Sequence, residues 1–427
     1  MDINKSWKNL AILPHSLTAQ PLCLLISLLG ALAVAGGCAT ITNGPVLLRA
    51  YQDRAAIMWE TNTEGPTTLH YGKDQMLDKH VDSTPEEVRY GINIAGAQVI
   101  RKTAFIHKVW LEDLEPGQVY KYRADGPEAQ SKTYIFHTTP AVTDEVTFIV
   151  YGDSRTRRKT HRKLVELMMN QEVDFVVHTG DLVTDGDNYE QWGPQFFNPL
   201  RGFADTVPFY IAKGNHEGNK GNYEKLLIPS GEDNSFSFDY GPVHYLCVDN
   251  VSKGLNSRKQ LSLIAADAGS SRAQWKFVSY HVPSLNFGGH WSTWGYPDAL
   301  PTLGKAGIDF VLTGHSHQYE RFRPIAPPGD TAGSYVTYIT CGGGGAPLYG
   351  VDRSVYHAGA KKVHHFCLFK IKGNKLTMDA IDIDGNILDH LEVTKTDDGQ
   401  LNKEYLQTAV PMEEVQAYQD LQRKRPK

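Results

Sequence analysis

Five short apolar runs between Val146 and Leu312 stop in the same way. Val146 to Tyr151 is followed by Gly152-Asp153, and Asp174 to Thr179 by Gly180-Asp181. Val207 to Ile211 leads to Gly214-Asn215-His216-Glu217. Trp275 to Tyr280 ends in His281, and Ile308 to Leu312 leads to Gly314-His315-Ser316-His317. A further run, His244 to Val248, continues the series. Strand-like runs separated by helix-like or loop segments predict an α/β domain over residues 146–393. Open α/β sheets build their sites just beyond the carboxyl ends of strands. The pattern therefore sets Asp, Asp, Asn, His and a His pair along one edge. The glycines let the backbone turn sharply there. The later runs at Tyr335 to Thr340, His365 to Ile371 and Lys375 to Ile383 lack long helices between them. They are expected to add antiparallel strands.

Each fragment alone is weak. A lone Gly-Asp after a strand is an ordinary turn, and a lone His near a strand end is more often structural. The conjunction carries the reading. Six oxygen and nitrogen donors in the order Asp, Asp, Asn, His, His-x-His suit a pair of divalent metals. One carboxylate can bridge both ions. Two metals about 3.5–4 Å apart can clamp a phosphate and generate hydroxide from water near neutral pH. The residue types thus point to hydrolysis of a phosphate ester.

The rest of the chain sets bounds. Its 427 residues predict two or three domains. Lys+Arg is 43 and Asp+Glu is 48, giving a net charge of −5, which excludes a broadly basic protein that coats nucleic acid. Five cysteines are too few for a disulfide-stapled scaffold. Residues 45–140 read as an all-β domain, with strand patterns at Ala55 to Thr61, Thr67 to Tyr71, Phe105 to Leu111, Val119 to Ala124 and Tyr134 to Thr138. A central Trp59 and a late Tyr120-x-Tyr122 strand after the turn Glu115-Pro116-Gly117 suggest a fibronectin type III-like sandwich. No catalytic constellation falls there, and a spacer or a wall beside the site is the expected role. Residues 394–427 read as a charged C-terminal tail, with an exposed helix at Met412 to Arg423 and little core.

Residues 1–38 read as an address. Lys5 and Lys8 precede one apolar run, Leu22 to Ala35, which is shorter than the roughly 20 residues of a membrane span. Ala35-Gly36-Gly37-Cys38 resembles a bacterial lipobox, making Cys38 the lipidated first residue of an exported, envelope-anchored protein. Ala33-Val34-Ala35 would serve instead as an ordinary secretory cleavage site, and a retained anchor helix is the third reading. Of the remaining cysteines, Cys247 and Cys367 sit in apolar strand contexts and, with Cys341, are expected to be free buried thiols.

The series GDSR, GDLV, GNHE, YHVP and GHSHQYER resembles the calcineurin-like metallophosphoesterases, and most closely their purple acid phosphatase branch. That resemblance implies a four-layer α/β (α+β) β-sandwich core behind the all-β front domain. It implies acid phosphatase-like hydrolysis of a small phosphate monoester, with two divalent ions (Fe, Zn or Mn), while the charge balance argues against a nucleic-acid partner. By the resemblance, Asp153 binds the first metal and Asp181 bridges both. Asn215, His281 and His315 bind the second, and His317 returns to the first. His216 lies outside the metal shell and stabilises or protonates the leaving oxygen. His290, nine residues after His281, matches a substrate-facing histidine of the branch, or else is a loop residue in Gly288-Gly289-His290-Trp291.

Two positions depart from the pattern. Thr184 stands where the purple branch has the tyrosine that binds ferric iron. Arg155 stands where other calcineurin-like enzymes carry a metal-binding histidine. Arg155 is read either as a bidentate contact to substrate phosphate or as a structural or surface charge. Gly342 to Gly345 read as a tight loop near the site, Tyr319-Glu320-Arg321 as support for the His pair, and His364-His365 as structural. The alternatives to a monoesterase are a phosphodiesterase of the same fold and a non-catalytic envelope binding protein with a degenerate metal site.

Overall fold

The computed structural model describes residues 40–74, 76–94, 98–290, 293–327, 335–396 and 399–424. The expected signal segment and Cys38 lie outside the described residues. No helix among those described is long and apolar enough to cross a membrane.

The front region is a sandwich of two four-stranded antiparallel sheets. One runs in the order Ile41–Ala50, Ala55–Thr61, Gln98–Leu111, Glu86–Ile94. The other runs Lys79–Ser83, Thr67–Lys73, Val119–Asp125, Tyr134–His137. Strand Val119–Asp125 shows the expected alternation, with Tyr120, Tyr122 and Ala124 turned inward. Strand Ala55–Thr61 does not, because every residue in it is buried. Ala55, Ile57 and Trp59 face the sandwich core, while Ala56 and Met58 join a second core shared with the following domain. Each large side chain buried this way contributes about 1.5–3 kcal/mol. Backbone contacts reinforce the seam: Leu47 N donates to Ala204 O at 2.8 Å, and the hydroxyls of Tyr122 and Tyr210 donate to Asp205 O and Ala50 O, both at 2.6 Å. The front region is thus fused to its neighbour rather than strung before it.

The larger region stacks two mixed sheets. The six-stranded sheet runs Phe209–Ile211, Phe175–His178, Glu145–Tyr151, His365–Lys372, Lys375–Asp382, Ile387–Thr394. The seven-stranded sheet runs Phe236–Tyr240, Val243–Val248, Trp275–Tyr280, Phe310–Thr313, Thr337–Cys341, Tyr319–Phe322, His357–Lys361. Aromatic rings fill the space between them. Phe148 stacks on Phe175 at 4.8 Å and on Phe369 at 4.9 Å, and meets Phe277 edge-on at 5.2 Å. Helix Arg158–Met168 covers the outer face of the first sheet through His161, Leu164, Val165 and Met168, the spacing of one helix face. Helices Ser257–Ser270 and Ala299–Lys305 cover the second. These are the four layers expected. Cys247, Cys341 and Cys367 are free and buried, as expected.

Two expectations are corrected. Thr337–Cys341 pairs parallel with Phe310–Thr313, not antiparallel. The chain between them crosses back as Tyr319–Phe322, which pairs antiparallel on the far side of Thr337–Cys341. His365–Lys372 and Lys375–Asp382 are antiparallel as expected. The tail is also not a loose appendage. Its helix spans Met412–Arg423 as read, but Met412, Val415, Gln419 and Gln422 are buried, and Met412 and Val415 pack into the core over the second sheet. Charged residues on its outer face hid a narrow apolar stripe on the inner one.

Candidate metal centre

Three sharp turns bring the donors together. Asp153, Asp181 and His315 all adopt left-handed backbone, with φ of 57°, 59° and 66°. For a non-glycine residue this conformation is costly and collects at functional sites. Each follows a glycine at the end of a parallel strand, so the chain reverses tightly and aims the side chain back over the sheet edge. At Gly180, a Cβ would lie 2.7 Å from Gly214 Cα, so the Asp181 and Asn215 loops could not approach with any side chain there.

Asp181 Oδ1 accepts the His216 amide at 2.9 Å and lies 3.3 Å from His281 Nε2. Asn215 Oδ1 is 3.0 Å from His281 Nε2 and 2.9 Å from His315 Nδ1, and those two ring nitrogens are 3.3 Å apart. His281 Nδ1 faces the Thr179 carbonyl at 2.8 Å, which fixes the other nitrogen toward the cluster. On the opposite side, His317 Nδ1 faces the Pro347 carbonyl at 2.8 Å, leaving Nε2 3.2 Å from Asp153 Oδ1. Ligand atoms from Asp153, Asp181 and His317 all lie within 4.8 Å of one another. Asp153 Oδ2 is spent on the His315 amide at 2.8 Å.

The electrostatics ask for positive charge. Asp153 Oδ1 is buried with no hydrogen-bond donor on it. Burial would raise the Asp181 carboxyl, but His281 and His216 outweigh it and hold it well below the ordinary range. Burial would lower the His281 imidazole, yet Asp181 and Asp153 push it up to about 9. Burial and the neighbouring His281 and His290 push His315 down to about 2, keeping it neutral. A neutral imidazole, an amide oxygen and buried carboxylates aimed at common points are the donor chemistry of a divalent cation. The residues fit the metals that the sequence implies.

Supporting residues hold this geometry. Glu217 accepts the amides of Asp181 at 2.9 Å, Leu182 at 2.7 Å and Gly214 at 2.6 Å, tying two donor loops to one carboxylate. Asn250 Oδ1 accepts the amides of His281 and Val282, both at 3.2 Å. Gln195 Oε1 accepts the amide of Thr184 at 2.9 Å and that of Thr156 at 3.2 Å. A Cβ on Gly342 would press on the Ser316 carbonyl and sit 2.9 Å from Asp153 Oδ2. The glycine run lets this loop lie against the Asp153 turn, and the Gly344 and Ala346 amides are spent on the carbonyls of Gly152 and Asp153 at 2.8 Å.

The structure brings all nine site residues read from sequence into this region. His216 Nδ1 lies 2.6 Å from the Thr184 carbonyl, so Nε2 points into the site, 3.8 Å from Asp181 Oδ2. His290 lies against His315, with ring centroids 4.0 Å apart, and burial with the neighbouring His317 lowers its pKa. Arg155 turns inward. Its Nε is 3.2 Å from Asp181 Oδ2 and an Nη is 3.4 Å from His317 Nε2. Its side chain is 13% exposed, so a solvated surface charge is ruled out. Tyr319 and Arg321 bond Asp389 instead of the His pair, at 2.7 and 2.7–2.8 Å. Glu320 holds Gln318, His357 and the Phe287 amide. Sequence reasoning missed Tyr349, which stacks on His317 at 4.3 Å, and Gln195 and Asn250, none of which stands in a motif.

Residues 146–319 match the calcineurin-like phosphoesterase family. Fold and site together define a metallophosphoesterase, the class of hydrolases that act on phosphate esters. Residues 46–138 match the purple acid phosphatase N-terminal domain, so the chain carries both of these domains in sequence. It is similar to purple acid phosphatase 18 of Arabidopsis thaliana, 26% identical over 318 residues and covering 68% of each chain. It is 25% identical over 276 residues to acid phosphatase type 7 of Homo sapiens, covering 53% of this chain and 59% of the relative. It is also 25% identical over 310 residues to probable inactive purple acid phosphatase 1 of Arabidopsis thaliana, covering 58% and 50%. The chain thus spans between half and about two thirds of the length of these relatives. The solved structure of PhoD shares the fold, with a TM-score of 0.59 at 14% identity, over 89% of this chain and 98% of that one.

Proposed function

We propose that this chain hydrolyses small phosphate monoesters with divalent metals held by Asp153, Asp181, Asn215, His281, His315 and His317. The observation that carries the reading is the convergence of these donors at one edge, with Asp181 near both His281 and the Asp153–His317 pair. Divalent ions on such donors would supply a nucleophile from water near neutral pH and polarise the phosphoryl oxygens. The chain's own residues do the rest. Asp181 sets the two halves of the centre against each other. Its position is fixed by Glu217 beneath it. His216 is anchored through Nδ1, which leaves Nε2 to give a proton to the departing oxygen. His290, packed on His315, faces the same space and would orient the phosphate. Export with a lipid anchor at Cys38 is part of the proposal and rests on the sequence pattern alone.

The test is His216→Ala. The variant should keep its metal and lose most turnover of p-nitrophenyl phosphate. Full activity would remove His216 from the mechanism. Comparison with bis-p-nitrophenyl phosphate separates the monoesterase from the diesterase. Contact of Arg155 with Asp181 and His317 favours one second reading, a binding protein with an incomplete centre. A purified chain that binds metal and cleaves neither ester would establish it.

A further inference from the structure

Arg155 touches two of the three groups that the structure gathers at the first metal position. Those groups are Asp153, Asp181 and His317. Its Nε lies 3.2 Å from Asp181 Oδ2, and Nη2 lies 3.4 Å from His317 Nε2, the nitrogen that would ligate. The contact is built in. The Arg155 amide donates to the Asp181 carbonyl at 3.3 Å, and the next residue, Thr156, is held in left-handed backbone at φ 77° with its amide on Gln195. A guanidinium has five donors and no acceptor, so it cannot ligate a metal, and it does not lose its charge. By contrast, no arginine or lysine touches the other donor group, Asn215, His281 and His315, among the described residues.

We propose that Arg155 is a resident cation of the first metal position, so that the two positions of the centre differ widely in affinity. This inference rests on the metal-binding reading above. An ion at Asp181, Asn215, His281 and His315 binds directly. An ion at Asp153, Asp181 and His317 must first displace the guanidinium from Asp181 and His317 and then tolerate it nearby. Like charges about 4 Å apart in a partly buried site repel strongly enough to weaken an affinity by at least about 100-fold. With one ion bound, Arg155 remains as the second positive charge in the centre, with the planar fork that suits a phosphate. Thr184 leaves the first position without the extra phenolate that would favour the ion.

The experiment is a calorimetric titration of the metal-stripped chain with Mn²⁺, followed by electron paramagnetic resonance of the bound ions. The unsubstituted chain should take one ion tightly and a second at least about 100-fold more weakly, with an uncoupled Mn²⁺ spectrum at one equivalent. Arg155→Met keeps the length and removes the charge. It should bring the second affinity close to the first and give an exchange-coupled pair. Arg155→Lys keeps the charge and should keep the gap, and it reports even if the methionine variant does not fold. Matched affinities in the unsubstituted chain, or an unchanged second affinity in Arg155→Met, would overturn the proposal. Matched affinities with intact ester hydrolysis would leave the proposed function standing. No Mn²⁺ binding at all would remove both.

Discussion

Glu217 is the keystone of the donor loops, and Glu217→Gln tests that directly. Its carboxylate is fully buried and accepts three amides, two on Oε2 from Asp181 and Gly214 and one on Oε1 from Leu182. A glutamine keeps the shape but offers one oxygen. In its better orientation it retains two of the bonds, now without charge assistance, and turns an NH₂ toward the Leu182 amide. A buried donor left without an acceptor costs about 1–3 kcal/mol, and each weakened bond adds roughly 0.5–1 kcal/mol. Easier burial of an amide than of a carboxylate offsets part of this. The net loss should be about 2–4 kcal/mol. For a folded unit of this size that is roughly 2–5 °C in melting temperature. The assay is thermal unfolding of stripped and metal-loaded protein, with metal affinity measured alongside. Both donor loops lose their tie, so Mn²⁺ affinity should fall at least about tenfold. Melting within a degree of the unsubstituted chain together with unchanged affinity would refute the role given to Glu217.

Three further outcomes follow from other contacts. His161 is fully buried on Tyr151 and Gln195, and burial pushes it down to about 4 from 6.5. The unfolded chain takes up a proton that the folded chain refuses, so this group costs no stability above pH 6.5. It costs up to about 3 kcal/mol as pH falls toward 4; His161→Gln should flatten that part of the stability–pH curve in urea unfolding. Gly342→Ala would press on Asp153 and the Ser316 carbonyl, and should lower metal affinity with little change in far-ultraviolet circular dichroism. Tyr189→Phe removes the 2.6 Å bond from the Tyr189 hydroxyl to buried Glu60 of the front sandwich, and should cost about 1.5–3 kcal/mol in chemical unfolding.

The metal edge was legible because each donor lies within a few residues of a strand end, so local sequence sets it. The strand pattern, the glycine and the donor type agree at Asp153, Asp181, Asn215 and His315, and His281 follows its strand directly. What was not legible depends on distant chain. Tyr349 reaches His317 only because the loop after Thr337–Cys341 folds over it. Gln195 reaches Thr184 and Thr156 because the segment Tyr189 to Phe197 is pressed in place by the front sandwich through Tyr90 and Glu60. The front region is therefore a buttress for the site as well as a wall. The burial of the C-terminal helix is hidden in the sequence for a similar reason. Its apolar stripe is narrow, yet Gln419 accepts the Asn286 amide at 3.3 Å and donates to the Ser284 carbonyl at 3.2 Å, bracing the loop that carries His290. The sequence leaves Arg155 open between a phosphate contact and a structural or surface charge. The motif position places it near the first metal, but its bonds to Asp181 and His317 show only in three dimensions.

The central claim is that the converging donors make a metal-dependent phosphate-ester hydrolase. The measurement is turnover of p-nitrophenyl phosphate by the purified chain, stripped with a chelator and then restored with Mn²⁺, Zn²⁺ or Fe²⁺, with bound metal quantified in the same samples. Activity should vanish on stripping and return with the metal, and Asp181→Asn should bind less metal and recover none of it. Equal turnover by stripped and loaded protein, or loaded protein with no turnover of mono- or diester, would contradict the account.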